Sequence, residues 1–181
     1  MAEMEQKHIV RGVAAGLLGG LVASWMMNQF MAGPGPALRH AVQSDARNAA
    51  ETQAAKQSDA NSGEDATMKT AEAIYHAATG GAHLSWEAEQ RGGPIVHYTF
   101  GALMGGLYGG LAEYIPAVRS GLGTTFGSVL FAGADLIAVP AFHLAGQSAE
   151  LSASALATPL SAHLVYGVTT ELVRRVMRRI L

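Results

Sequence analysis

Seven polar side chains stand inside long apolar stretches, where chemistry could use them: Asn28, His97, Glu113, Asp135, His143, His163 and Glu171. A carboxylate beside imidazoles exchanges protons in the physiological range, so Asp135 with His97, His143 and His163 is a candidate proton or ion site. The same groups serve equally as hydrogen-bond partners between helices, worth roughly 0.6 kcal/mol per contact on average in a membrane, and this structural role is the favoured reading. His97 and Glu113 lie about 24 Å apart along one helix at 1.5 Å per residue, so they belong to different layers. Asn28, His97, Asp135, His143 and His163 fall in an outer layer, Glu113 and Glu171 in an inner one. Arg174 and Arg175 follow Glu171 at helical spacing and account for it locally, whereas Glu113 has only Arg119 across the next turn.

Other chemistries have no foothold in the sequence. There is no cysteine, and no H-x-x-x-H or H-E-x-x-H spacing, so neither a disulfide nor a metal site is expected. No nucleophile motif, phosphate loop or paired-carboxylate spacing is present, so the chain reads as non-enzymatic and without a cofactor. A net charge of -2 gives no footprint for nucleic acid.

The elements that must position these residues follow from where the charges are. Eight of the fourteen acidic and five of the twelve basic residues lie between Gly33 and Gly93, leaving nearly charge-free stretches on either side. A bilayer core about 30 Å thick needs roughly 20 apolar residues per helix. Four spans are expected on that basis: Ile9 to Ala32, Ile95 to Val118, Ser120 to Leu144, and Leu156 to Met177. The chain then divides into 1–32, the N-terminus and first transmembrane helix; 33–94, a polar external loop with short helices; and 95–181, three transmembrane helices with a basic C-terminus. A cleaved signal peptide over residues 1–32 is the rival reading; its apolar stretch is long for one.

Small residues recur every fourth position: Gly12, Gly16, Gly20 and Ser24 in the first span, Gly101, Gly105 and Gly109 in the second, Gly123 and Gly127 in the third. With Gly167 in the fourth, they predict ridges at which helix backbones approach closely, as they do in lipid. The spans also read as two copies of one hairpin. Gly16, Gly20 and Asn28 align with Gly123, Gly127 and Asp135, and His97-x-x-Phe100-Gly101 with His163-x-x-Tyr166-Gly167.

In the polar segment, GPGP at 33–36 ends the first span. Two short surface helices are expected, an alanine-rich one over 37–57 and a second beginning near Asp65 and stopped by Gly80 and Gly81, with Ile74, Tyr75 and Trp86 as interfacial contacts. Lys7, Arg11, Arg119 and the arginines between Arg174 and Arg179 flank the spans, while Ala145 to Ala155 has no Lys or Arg. By the positive-inside rule both termini are cytoplasmic.

His97-Tyr98-x-Phe100-Gly101, Tyr108-x4-Glu113-x-x-Pro116, the glycine-led third span with Pro140, and AHLVYGVTTELVRR from Ala162 to Arg175 resemble the YagU-like family of small bacterial inner-membrane proteins. The resemblance covers about the last 90 residues and, loosely, the first span. It implies an integral membrane protein and carries no catalytic residue. The expectation is therefore an all-α, polytopic, four-transmembrane-helix bundle in the bacterial inner membrane, structural or interacting in role. Its partners would be the lipid bilayer and either further copies of itself or another membrane protein. The alternative is a proton- or ion-conducting module that uses the intramembrane Asp, Glu and His.

Overall fold

The computed structural model describes residues 2–42, 65–144 and 153–181. Helix α1 (Ala2–Ala32) ends at Gly33, whose N–H reaches the Gln29 and Phe30 carbonyls at 3.1 and 3.3 Å. Pro34 and Pro36 then open α2 (Pro34–Val42), in a first turn where a missing N–H costs nothing. The remainder of the alanine-rich helix expected to 57 lies outside the described residues. Helix α3 (Ala66–Thr79) begins where its cap predicts: Asp65 accepts from the Thr67 and Met68 amides at 2.8 and 2.9 Å. It ends at Gly80, in the left-handed conformation at φ 72° that glycine adopts without strain.

Helix α4 (Trp86–Tyr114) starts well before the span expected from Ile95. Ser85 caps it, Glu87 and Glu89 complement its N-terminal dipole, and Pro94 is accommodated inside it. A 3₁₀ turn (Pro116–Gly123) follows, with Gly121 and Gly123 at positive φ, and leads into α5 (Thr124–Phe131). The third helix expected over 120–144 is not uniform. It continues from α5 as a π-helical stretch (Ala132–Ala138) and one last turn (Val139–Ala141), before Phe142 and a left-handed His143 at φ 55°. The chain resumes in α6 (Ala153–Ile180).

Glycines set the packing. A Cβ on Gly16 would collide with the Gly105 carbonyl, and one on Gly20 with that of Gly101; a Cβ on Gly12 would lie 2.7 Å from the carbonyl oxygen of Gly109. The contacts descend α4 as they ascend α1, so the two helices run antiparallel with backbones touching. A second antiparallel pair forms between α5 and α6, where Gly123 meets Gly167 and Gly127 meets the His163 carbonyl. Helix α1 also packs along α6, with Gly19 against Thr170, and α2 rests on the start of α6 through Thr158 and Gly35. Helix α3 lies on the first turns of α4, where Ala71 leaves no room for a side chain at Gly92.

These registers differ from the hairpin alignment above. That alignment would place Gly16 opposite Gly101, because Gly123 is opposite Gly167. Gly20 is there instead, one helical turn away. A ridge with a glycine every fourth residue offers several equivalent registers, and side chains elsewhere on the helices choose among them.

Two stretches, His8–Ala32 and Pro116–Ala141, are long and apolar enough to cross a membrane among the described residues, where four were expected. Helices α4 and α6 have the length, with 29 and 28 residues, but less apolarity. Glycine, His97, Tyr98 and Thr99 dilute α4, and Thr158, His163, Thr169, Thr170, Glu171 and the arginines dilute α6.

Candidate functional site

The inner layer is a network of charges spanning three helices. The Glu171 side chain on α6 is fully buried. It accepts from Arg174 Nε at 2.7 Å and Nη2 at 3.2 Å, from Arg175 Nε at 2.7 Å, and from the Tyr108 hydroxyl of α4 at 2.9 Å. The helical spacing in the sequence announces the two arginines; the tyrosine comes from 63 residues away. Glu113 on α4 receives Arg178 Nε at 2.7 Å and Nη2 at 2.9 Å, a forked pair, with Arg174 Nη1 at 3.5 Å. Arg174 thus touches both carboxylates. His8 of α1 joins through its Nδ1, 3.4 Å from Arg178 Nη2. The partner of Glu113 is therefore Arg178, and not Arg119, which is exposed on the turn.

Two tyrosines connect the helix pairs. Besides the Tyr108 bond, the Tyr166 hydroxyl donates to the Gly101 carbonyl at 2.5 Å. Phe126 of α5 sits between both rings, 4.5 Å from Tyr108 and 6.2 Å from Tyr166. The available signal was position: Tyr108 lies between Gly105 and Gly109, on a ridge already assigned to helix contact.

The outer group resolves into separate pairs. Between α1 and α4, the Asn28 amide donates to the Tyr98 hydroxyl at 3.3 Å and His97 Nε2 to the Ser24 carbonyl at 3.4 Å. Between the π-helical stretch and α6, Asp135 Oδ2 lies 3.7 Å from His163 Nδ1. That nitrogen carries its proton toward the Pro159 carbonyl at 2.9 Å, since a carbonyl only accepts, and the contact to Asp135 is electrostatic. His143 is exposed beyond the last turn and joins neither pair. The five residues placed together by depth therefore do not form one site. Among the described residues, no three His, Cys, Asp or Glu side chains converge as metal ligands.

Among the described residues, an all-helical fold with two membrane-compatible stretches and a carboxylate–arginine network defines the class. The chain belongs to the family described as protein of unknown function (DUF1440), whose model matches residues 68–172. The match takes in most of α3, all of α4, Asp135, His163 and Glu171, and leaves α1 and Arg174 to Arg179 outside. No curated protein and no solved structure matches the chain.

Proposed function

We propose that this is a non-enzymatic integral protein of the bacterial inner membrane, of the YagU-like kind, with a structural or interaction role. In this reading α1, α4, the α5 stretch and α6 all cross the bilayer, and both termini are cytoplasmic. One observation carries the proposal: the interior is built mostly of small and polar residues while many large apolar side chains lie on the surface. The largest fully buried side chains among the described residues are Tyr108, Glu171, Thr170 and Ser24, whereas Ile95 and Val129 are each 65% exposed, and Leu103, Leu107, Ile137 and Val176 are exposed too. Water would reverse that order, and lipid favours it.

The ionisable groups support scaffold over conduit. Glu113 and Glu171 are each fixed in short ion pairs with arginines, as structural groups are. The conduit reading draws on Asp135, half-exposed beside His163 in a π-helical stretch of the sort often found at functional sites. Reconstitution in vesicles separates the two. The scaffold reading predicts that wild-type protein dissipates an imposed pH gradient no faster than empty vesicles, and that Asp135→Asn folds normally. Wild-type flux abolished by Asp135→Asn, whose amide cannot exchange a proton near neutral pH, would establish the conduit.

A further inference from the structure

A groove of about 800 Å³ runs between α3 and the first half of α4, within the size range of small-molecule sites. Its walls are sorted by polarity. Glu87 and Arg91 line one end, Ile74 lines the α3 wall, and Ile95, Phe100 and Leu103 line the rest of α4. These apolar residues are exposed and continue into Leu107 and Leu111 on the same helix, so the groove opens directly onto the face that meets lipid in the membrane reading. From Arg91 to Leu103 is about 18 Å at 1.5 Å per residue, close to the roughly 15 Å of one leaflet's hydrocarbon. An occupant entering sideways from the bilayer would meet an apolar trough one leaflet deep, with charges at its outer end.

Those charges select the headgroup. Glu87 and Arg91 are both exposed, one helical turn apart, with Arg91 nearer the apolar end, and they form no ion pair with each other. We propose that the α3–α4 groove binds a zwitterionic phospholipid with a primary ammonium headgroup, phosphatidylethanolamine. One acyl chain lies along Ile95 to Leu103, the phosphate on Arg91 and the ammonium on Glu87. A phosphate next to the glycerol and an ammonium farther out match the order of the two side chains along α4. A glycerol headgroup would offer Glu87 neutral hydroxyls in place of a cation, and a choline headgroup has no N–H to donate to it. The site rests on the membrane reading above.

The test is native mass spectrometry of the full chain, extracted from membranes and equilibrated with equal amounts of phosphatidylethanolamine, phosphatidylcholine and phosphatidylglycerol. Wild type should retain phosphatidylethanolamine about tenfold over either competitor, as expected for charge-assisted bonds at both ends of the headgroup. Glu87→Gln should bring phosphatidylethanolamine down to the level of phosphatidylcholine, and Arg91→Gln should lower retention of all three. Thr99→Trp fills the trough from an exposed lining position and should abolish retention, while Leu107→Trp, beyond the groove on the same helix, should change nothing. Equal retention of the three lipids by wild type, or retention indifferent to Glu87→Gln and Thr99→Trp, would overturn the site. So would a dimer lost with Thr99→Trp, which would make the occupant a second copy. Wild type recovered in the membrane fraction without lipid preference defeats only this site; wild type absent from that fraction defeats the membrane reading as well.

Discussion

Arg178 and Glu113, 65 residues apart, meet through two parallel hydrogen bonds of 2.7 and 2.9 Å and tie the end of α6 to the end of α4. Both side chains are partly exposed, so their coupling should be moderate. A double-mutant cycle with Glu113→Ala and Arg178→Ala should give about 0.5–1.5 kcal/mol in the stability of the detergent-solubilised protein, within the span known for polar contacts in membrane proteins. Additive single mutants would mean that the pair holds nothing together.

Glu171 should matter more, because it has no exposed surface and neutralises Arg174, which is itself buried. Glu171→Ala leaves that buried guanidinium only its 3.5 Å contact to Glu113 and is expected to cost about 3–5 kcal/mol, more than Glu113→Ala. Tyr108→Phe removes one of its donors and should cost about 1 kcal/mol. Thermal midpoints of the three variants check the ranking, and a milder loss at Glu171 than at Glu113 would refute it.

The helix pairs can be tested where a methyl group has room and where it does not. A Cβ on Gly105 would collide with the Gly16 carbonyl and lie 2.7 Å from the Gly20 backbone, while one on Gly133 meets nothing within 4 Å. Gly105→Ala should therefore destabilise by about 1–3 kcal/mol. Gly133→Ala should be neutral or stabilise by up to about 1 kcal/mol through lost chain entropy. Equal melting temperatures for the two variants would show that α1 and α4 do not touch at that ridge.

Outside the spans, acid should loosen the corner between α3 and α4. The Leu84 amide donates to Glu72 Oε2 at 2.8 Å, and His83 Nδ1 lies 2.6 Å from Oε1, with the His76 ring 5.0 Å from that of His83. The backbone bond from Leu84, then the His83 contact, hold the Glu72 carboxyl below its ordinary pKa. A depressed carboxylate pKa stabilises the fold above the ordinary value near 4.3, and that contribution is lost as pH falls through the lowered value. Proteolysis between Gly80 and Ser85 should accelerate below about pH 4 in wild type and be fast already at pH 7 in Glu72→Gln. Cleavage that ignores both acid and the substitution would contradict the clamp.

Local signals were readable, and relations between distant helices were not. Asp65 and Gly80 announce both ends of α3, because caps act within a few residues. The glycine ridges mark which faces are narrow, yet their four-residue repeat leaves register undetermined, and the hairpin alignment came out one turn away from the observed pairing. Glu171 shows its arginines at helical spacing, whereas the Glu113–Arg178 pair depends on how α4 and α6 are rotated, which no local pattern encodes. The outer cluster dissolved for a similar reason. Depth along a helix can be counted from the sequence, but Asn28 and Asp135 point into different helix pairs. The span from Ile95 followed from where the charges end, and the Ser85 cap with its acidic first turn was the better signal for where α4 begins.

The central claim, four crossings with cytoplasmic ends, is tested most directly by single-cysteine labelling, which the absence of native cysteine makes clean. Cysteines would be placed singly at Ser62, Arg119 and Leu181 and treated with a membrane-impermeant maleimide in intact cells and after permeabilisation. The account predicts labelling of Ser62→Cys from outside, and of Arg119→Cys and Leu181→Cys only after permeabilisation. If only His8–Ala32 and Pro116–Ala141 cross, Arg119→Cys labels from outside together with Ser62→Cys, and that result would contradict the four-span account.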